Sequence, residues 1–395
     1  MADNNENKVL NVPHLRFPEF SGEWKRVELK DVAEFQKSRI PADSLDASCY
    51  ISTENLIPNF GGIKEASSIP TDGNVMAIKP NDILISNIRP YLKKVWQSDR
   101  FGGCSADVFV LRTTRCQSDF LYNIIASDKF INYAMSGAKG VKMPRGDKRQ
   151  MEEFEFSIPA IEEQNRISRL LSLLDERIAT QNKIIEKYES LIQAIIYQKK
   201  TAGISKGDWQ KTELSNVLQE RIEKNINGHI ICSVSVSKGV VNQIEYLGRS
   251  FAAKETLHYN VVKYGDIVYT KSPTGDFPYG IVKRSYIKND VAVSPLYGVY
   301  MPVNDYIGVI LHFYFMQPSN AFNYLHPLIQ KGAKNTINIT NERFLKNSIP
   351  LPKAENEAIY IANTLISIQK KIDIEKKMLR SYEKEKQYLL SKMFI

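Results

Sequence analysis

The sequence predicts a protein of the α/β class with mixed α+β character, in which two similar globular domains are joined by two long antiparallel coiled-coil helices. Three observations predict this fold: an internal repeat along the whole chain, two segments with matching heptads, and runs of β-branched and aromatic residues ahead of each. The 395 residues exceed what one small core holds. A composition of 43% hydrophobic and 25% charged residues is that of a folded soluble protein.

The repeat decides the architecture, because self-similarity at a fixed distance means that one structural unit occurs twice. The segment Trp24–Val32 has its counterpart in Trp209–Val217, 185 residues later. Further matched segments follow in the same order: Lys79–Ser86 with Lys263–Thr270, Gly137–Lys139 with Gly332–Lys334, and Ser157–Pro159 with Ser348–Pro350. We therefore expect two copies of one domain, related by a pseudo-twofold repeat.

The segments after Pro159 and Pro350 have apolar residues at alternating steps of three and four, the pattern of coiled-coil helices. The expected contact positions are Leu171, Leu174, Ile178, Gln181, Ile185, Tyr188, Ile192 and Ile195 in the first helix, and Leu365, Ile368, Ile372, Glu375, Leu379, Tyr382, Lys386 and Leu389 in the second. A shift of 194 residues superimposes the two series, including the polar positions Gln181 and Glu375. Two unrelated amphipathic helices would not need this shared register, so we expect the two helices to pair.

The expected order along the chain is domain, helix, domain, helix, over residues 1–156, 157–200, 201–347 and 348–395. Strands are predicted at Asp82–Ser86, Val108–Leu111, Asp266–Thr270 and Leu296–Tyr300, and shorter helical stretches at Phe120–Ser136 and Ile307–Gln330. The segment Lys199–Asp208, with two glycines, is predicted to link the repeats.

Composition excludes several classes of function. Subtracting 44 acidic from 53 basic residues gives a net charge of +9, which is compatible with a polyanionic partner. The cysteines form no CxxC pair and are expected to be free thiols, and the dispersed histidines have no nucleophile partner: Cys49, Cys104, Cys116 and Cys232, with His14, His229, His258, His312 and His326. Neither a run of about 18 to 20 apolar residues nor a signal peptide is present, so a cytoplasmic location without membrane contact is expected.

An enzymatic function also lacks its usual motifs. The segment Asp276–Tyr279 resembles the acidic-Pro-Pro-aromatic motif of amino-methyltransferases, but its first proline is missing. Neither a glycine-rich S-adenosylmethionine motif nor a phosphate-binding GxxxxGK[ST] loop is found. We therefore predict a turn at this segment, and no catalytic or metal-binding residue in the chain.

The chain resembles the specificity subunits of type I restriction-modification systems. The likeness covers nearly the whole chain: Leu15–Phe20 before Trp24, the two Asp-Ile strands, Ser86–Lys94, Met143–Asp147, and Ser157–Pro159 with Glu163–Asn165. The segment before the second long helix, Pro350–Asn356, departs from the Ile-Pro and Glu-Gln pattern of the first repeat. Contacts with a methyltransferase subunit are therefore not assigned to that segment.

The resemblance implies a sequence-specific protein that binds double-stranded DNA, reads an asymmetric bipartite site with two target-recognition domains, and has no chemistry of its own. The expected partners are two adenine methyltransferase subunits and the restriction (translocase) subunits. S-adenosylmethionine, ATP and Mg²⁺ are expected only in those partners. The resemblance also implies that the paired helices act as a spacer and as a docking surface for the methyltransferase subunits. About 28 helical residues would span about 42 Å, close to one turn of B-DNA, which fits the role of spacer.

Two alternatives remain open at this point. A free-standing DNA methyltransferase or nuclease would need a cofactor or metal motif inside the chain. A coiled-coil scaffold without nucleic acid would leave the basic loops of both domains unexplained.

DNA binding should rest on Lys and Arg at phosphates and on Arg, Asn, Gln or Ser at base edges. The candidates lie in loops, many of them after matched strands: Lys37, Arg39, Asn87, Arg89, Lys93, Lys94, Lys139, Lys142, Arg145, Lys148 and Arg149 in the first domain, and Lys271, Ser272, Thr274, Lys331, Lys334, Asn335 and Asn338 in the second. Solvated surface is the alternative for any single lysine. The basic residues of the last helix alternate with acidic ones, which is typical of the solvated flank of a coiled coil or of a partner surface.

Overall fold

The computed structural model describes residues 10–250, 252–253, 255–331 and 337–395. Contacts divide the chain into two units. Residues 1–180 with 379–395 form the first unit, and residues 181–378 form the second unit. The division falls inside both long helices, so that each unit contains a part of both.

The elements that begin before residue 207 include ten strands and five α-helices among the described residues. They are β1 (Lys25–Glu28), α1 (Leu29–Val32), β2 (Ala33–Phe35), β3 (Arg39–Pro41), β4 (Tyr50–Ile51), β5 (Asn74–Ile78), β6 (Ile83–Ser86), β7 (Val95–Gln97), β8 (Gly102–Cys104), β9 (Val108–Thr113), α2 (Ser118–Ile125), α3 (Asp128–Ser136), α4 (Lys148–Glu152), β10 (Glu155–Ile158) and α5 (Ile161–Lys206).

The remaining elements repeat this order with additions. They are β11 (Trp209–Glu213), β12 (Leu218–Glu220), β13 (Cys232–Ser235), β14 (Gly239–Asn242), α6 (Gln243–Leu247), β15 (Asn260–Val262), β16 (Ile267–Tyr269), β17 (Val282–Arg284), β18 (Val291–Val293), β19 (Gly298–Pro302), α7 (Asp305–Phe315), α8 (Pro318–Leu325), β20 (Gln330–Lys331), β21 (Ile337–Asn338), α9 (Asn341–Lys346), β22 (Ser348–Pro352) and α10 (Glu355–Met393).

Both units contain the same four-stranded antiparallel sheet. Its strand order is β2-β9-β6-β7 in the first unit and β12-β19-β16-β17 in the second. The registers also agree, since Ile83 lies opposite Leu111 in one sheet and Ile267 opposite Tyr300 in the other. In each unit a further antiparallel pair, β1 with β10 or β11 with β22, joins the start of the domain to the strand before a long helix. The predicted fold class and repeat are confirmed.

The second layer differs between the units. In the first unit β3-β5-β8-β4 form a second sheet of four strands. In the second unit the corresponding region contains the separate pairs β13-β14 and β15-β18.

The shared sheet divides the core of each unit, because alternate residues of a strand point to opposite faces. On one face of β6, Leu84 belongs to a cluster with Ile51 and Cys104, whereas Ile83 and Ile85 belong to a cluster with the aromatic residues of α2 and α3. In the second unit Val268 lies in a cluster of valines. Burial of these side chains is what fixes the strand register.

Several heptad positions of both long helices are buried, and the others, such as Leu174 and Leu379, are half-buried. Leu171, Ile185, Leu365 and Ile372 are buried. In the first unit the start of α5 lies in the same core cluster as Met393 near the end of α10. In the second unit the end of α5 lies against the start of α10, with Lys199 Nζ 5.4 Å from the centre of the Tyr360 ring. The antiparallel pairing predicted from the repeat is confirmed.

The polar position in the heptads is a direct contact. Gln181 is buried, and its side-chain amide donates hydrogen bonds to the side-chain carboxylate and the main-chain carbonyl of Glu375. The two residues that match in the repeat are therefore partners in space. Ion pairs from Lys386 to Asp175 in the first unit, and from Lys376 to Glu189 in the second, flank this position.

Several boundaries differ from those expected. The helices are longer than about 28 residues, with 46 residues in α5 and 39 in α10. Ser157 and Ser348 belong to strands β10 and β22 and do not start the helices. The predicted link Lys199–Asp208 is mostly helical and shrinks to Gly207 and Asp208. Gly203 lets α5 pack closely against the Trp209 ring, because a Cβ at residue 203 would lie 1.9 Å from that ring.

Candidate nucleic-acid interface

The aspartates before β6 and β16 hold neighbouring strands of the shared sheet together through arginine. Asp82 is buried, caps the main-chain N–H of Lys79, and accepts two hydrogen bonds of 2.7 Å from Arg112. Asp266 caps Lys263 in the same way and accepts hydrogen bonds from Arg221. These bonds raise the pKa values of Arg112 and Arg221 further, so both guanidinium groups stay charged. The repeated Asp-Ile motif is thus a strand-positioning device.

The loop between β6 and β7 forms the first tip, Asn87–Lys94. Arg89 and Lys93 have φ angles of 52° and 54°, in the left-handed region that non-glycine residues rarely adopt. Between them Pro90–Leu92 makes one 3₁₀ turn. Such backbone conformations cost of order 1 to 3 kcal/mol each and persist only where surrounding contacts fix them.

A second segment supplies those contacts. Lys139 and Arg145 pair through two main-chain hydrogen bonds of 3.0 and 2.9 Å and close a hairpin around residues 140–144. The hairpin joins the first tip, because Arg89 N–H donates to Pro144 and Gly146 N–H donates to Asn87. The structure therefore brings together two basic segments that lie about 50 residues apart in the sequence.

The basic side chains of this surface have different roles. Arg89, Lys142 and Arg149 are exposed and have no ion pair with any residue that the structure describes. By contrast, three predicted residues carry carboxylate partners: Lys93 with Asp128, Lys139 with Asp147, and Arg145 with Asp107. On this surface, Arg89, Lys142 and Arg149 are therefore the predicted residues whose charge no described carboxylate neutralises.

Two predicted residues, both half-buried, are held by contacts within the first unit. The Lys148 ammonium lies 4.8 Å from the centre of the Phe109 ring and 5.5 Å from that of Phe35, a cation–π arrangement. Lys94 donates to the carbonyl of Thr53 at 2.5 Å, and burial lowers its pKa. These contacts give both lysines a structural role beside the one predicted.

Lys37 and Arg39 lie apart in the chain from the tip. Lys37 lies in the middle of the β2–β3 connection and Arg39 at the first position of β3, and both are exposed. Among the hydrogen bonds of the described residues, none joins them to the tip or to the hairpin.

In the second unit the loop between β16 and β17 takes the place of the first tip. Lys271 has a φ of 57°, and burial lowers its pKa. Thr274 and Phe277 exchange two main-chain hydrogen bonds of 3.0 Å around Gly275. This is the turn expected at Asp276–Tyr279. Ser272 and Thr274 are exposed on it.

A second hairpin follows here as well. Main-chain pairing joins β20 to β21, so that Lys331 lies opposite Ile337 and Gln330 opposite Asn338. The predicted residues Lys334 and Asn335 lie outside the described residues. In both units a main-chain pair thus lies between the short helices and the strand before the long helix: Lys139 with Arg145 in the first unit, and β20 with β21 in the second.

Sequence reasoning missed the residues that support the first tip. Asn59 and Phe60 are both left-handed, with φ angles of 57° and 59°, and their N–H groups donate to Leu92 and Lys93. The signal was available, since Asn59-Phe60-Gly61-Gly62 is a turn sequence. Of the six non-glycine residues with positive φ among those described, five lie in this support or in the two tips.

The start of α5 is fixed by the Glu-Gln motif. Glu163 is buried and forms a bidentate ion pair with Arg16 at 2.7 and 2.8 Å. Gln164 accepts from the main-chain N–H of Gln117 at 2.9 Å. In the second unit Glu357 accepts from Trp209 Nε1 instead. The motif therefore anchors a helix to its domain, and its drift in the second repeat reflects a different anchor.

Three side chains with catalytic potential, His312, Cys104 and Cys116, are buried and neutral. His312 accepts a hydrogen bond from the main-chain N–H of Arg284, and burial lowers its pKa to about 3. Burial raises the pKa of Cys104 and Cys116 to about 12. Within the described ranges no group of three or more His, Cys, Asp or Glu side chains could hold a metal ion, and no helix is long and apolar enough to cross a membrane.

Comparison with known proteins gives consistent results. Residues 21–190 match the family model described as type I restriction modification DNA specificity domain. The chain is 23% identical to the type I restriction enzyme MjaVIII specificity subunit of Methanocaldococcus jannaschii, over 98% of this chain and 95% of that protein. It is 24% identical to the type I restriction enzyme EcoDI specificity subunit of Escherichia coli, over 48% and 44% of the two chains.

Two solved structures share the fold. One is the S subunit of a type I restriction-modification system from M. genitalium, with a TM-score of 0.60, 14% identity, and coverage of 97% of this chain and 99% of that one. The other comes from a study of complex assembly and conformational transition of the type I R-M system, with a TM-score of 0.50, 17% identity and coverage of 94% and 97%.

Proposed function

We propose that this chain is a specificity subunit of the type I restriction-modification family and that it reads an asymmetric bipartite site in double-stranded DNA, one half with each unit. It recruits two adenine methyltransferase subunits and the restriction subunits. As a specificity subunit it is not itself the enzyme. S-adenosylmethionine, ATP and Mg²⁺ are then bound by the partners.

One observation carries the proposal of two reading units. The same sheet presents a tip with left-handed backbone after β6 in the first unit and after β16 in the second, and each unit has a further main-chain pair later in its sequence, Lys139 with Arg145 and β20 with β21. Loops on a rigid scaffold are where recognition residues usually lie. The tips differ in sequence between Asn87–Lys94 and Lys271–Ile281, which supports two unlike half-sites.

The experiment is methylation mapping with paired variants. The full chain is assembled with its cognate methyltransferase subunits, and the modified adenines are mapped. Arg89→Ala with Arg145→Ala should relax or weaken recognition of one half-site, whereas Lys271→Ala with Lys334→Ala should affect the other. Lys25→Ala and Lys211→Ala, exposed on β1 and β11, serve as matched controls and should change neither.

The outcomes separate the alternatives. Methyl transfer by the purified chain alone would favour a free-standing methyltransferase and overturn the proposal. Equal loss at both half-sites from either pair of variants, with the fold intact, would disprove the division of labour. Steep weakening of DNA binding with salt is expected, because phosphate neutralisation releases counterions.

A further inference from the structure

We propose that Val141, at the tip of the Lys139–Arg145 hairpin, contacts the methyl group of a thymine in the half-site that the first unit reads. This inference rests on the proposed function and deepens it. It assigns an apolar part of base recognition to one side chain that the basic-residue pattern did not indicate.

Val141 is the most exposed apolar residue of the described chain, at 100%, and Met143 beside it is 47% exposed. A single exposed apolar residue is normal on a protein surface, so exposure alone decides nothing. The tip is nevertheless an unusual place for a β-branched residue, since turns favour Gly, Asn, Asp, Ser and Pro. Gly140, with a φ of 99°, makes the turn that projects Val141.

The hairpin has a fixed base. Pro144 is buried, and its carbonyl accepts from Arg89 N–H at 2.8 Å. Gly146 N–H donates to Asn87 at 3.0 Å, so the hairpin and the first tip form one hydrogen-bonded platform. A recognition side chain needs such support, because a contact to one base edge requires the side chain to be held in place.

The surrounding charges favour DNA over a protein partner. Lys142 is adjacent to Val141, and Arg89 lies on the same platform, both exposed and without an ion pair to a described residue. An apolar side chain among cations suits a groove, where phosphates line both edges and the thymine C5-methyl is the apolar group of the major-groove surface. A purely apolar protein contact would gain nothing from these cations.

The test measures affinity of the full chain, assembled with cognate methyltransferase subunits, for a duplex with the mapped site and for one of unrelated sequence. Val141→Ala should weaken binding to the site about tenfold, because two buried methyl groups are removed, and should leave unrelated DNA and the salt dependence unchanged. Replacing one thymine of that half-site with uracil removes only a methyl group. This replacement should weaken the wild-type complex and have little further effect on V141A.

The controls distinguish the possible failures. Phe101→Ala removes an apolar residue that is 70% exposed in the same unit and should change nothing. Lys142→Ala should weaken both duplexes and reduce the salt slope by about one. Equal loss on both duplexes with V141A, or no thymine coupled to it, overturns the inference alone. A wild-type complex that does not prefer its site overturns the proposed function and this inference together.

Discussion

The two four-stranded sheets share their strand order and differ in how they neutralise the same buried aspartate. In the first unit Arg112 of β9 binds Asp82, and Gln36 accepts a hydrogen bond from that arginine. In the second unit the position of Gln36 is taken by Arg221, which binds Asp266 directly, and Met301 replaces Arg112. A buried carboxylate needs a cation beside it, but either of two neighbouring strands can supply that cation.

A second difference lies on β7 and β17. Trp96 pairs with Leu84 and packs against the first unit's apolar cluster, whereas the matching Lys283 pairs with Val268 and is 3% exposed. Both positions face a core, and only one contains an apolar residue. The comparison indicates that strand order and register are strongly constrained by burial, while individual side chains at matched positions can differ in charge.

The largest effect is expected where the division between the units falls in α5. Two residues inserted after Gln181 would turn the apolar face of α5 by about 200°. This change should abolish site-specific methylation by the assembled complex. Four inserted helix-forming residues would turn it by only about 40° and add about 6 Å, so the pair should survive. Methylation mapping should then show a spacer longer by about one to two base pairs, with the same bases read in both half-sites.

Activity with an unchanged spacer would mean that the helix does not set the distance. The Gln181–Glu375 contact makes this site suitable, because its polar side chains interrupt the apolar seam.

The next effect concerns the arginine that neutralises the buried aspartate, which can be moved from β9 to residue 36, where the second unit has it. Arg112→Met leaves Asp82 buried without its cation and should cost about 2 to 3 kcal/mol, toward the low end because Arg112 is partly exposed. Adding Gln36→Arg reproduces the arrangement of the second unit and should restore most of that loss. The measurement is hydrogen exchange of the β6 and β9 amides, which reports the first unit locally.

Failure of the double variant to recover would mean that the two sheets are less alike around the aspartate than their registers indicate. Arg26→Met on β1 is the matched control, since Arg26 and its partner Glu155 are both exposed and their pair should contribute little.

The smallest effect concerns Lys283. Burial lowers its pKa to about 8, whereas the unfolded value is about 10.4. Below pH 8 both states are protonated and the folded state bears the full penalty. Between pH 8 and about 10.4 the unfolded chain binds more protons, so this residue makes stability rise with pH. Lys283→Met should stabilise the second unit by about 1 to 2 kcal/mol at pH 7 and remove that rise.

The free energy of unfolding is measured for wild type and K283M at pH 7, 9 and 10. The difference between the two proteins isolates Lys283, because the contributions of the other titrating groups are the same in both. Parallel pH profiles for the two proteins would contradict the assignment. Lys288→Met, an exposed lysine of the same unit, should show no such difference.

The sequence by itself determined what repeats locally. The Asp-Ile strands, the heptads and the matching Gln181 and Glu375 could all be predicted, because periodicity and turn chemistry are properties of neighbouring residues. The antiparallel pair followed from two matched helices separated by a whole domain.

Only the tertiary structure decided which basic residues share a surface. Asn87–Arg89 and the Lys139–Arg145 hairpin meet through main-chain hydrogen bonds across about 50 residues, and no local pattern encodes that meeting. It also directed Lys148 onto Phe35 and Phe109, and placed Val141 at the tip. The physical reason is that a lysine's role depends on which aromatic ring, carbonyl or carboxylate the fold brings to it, and those contacts come from distant parts of the chain.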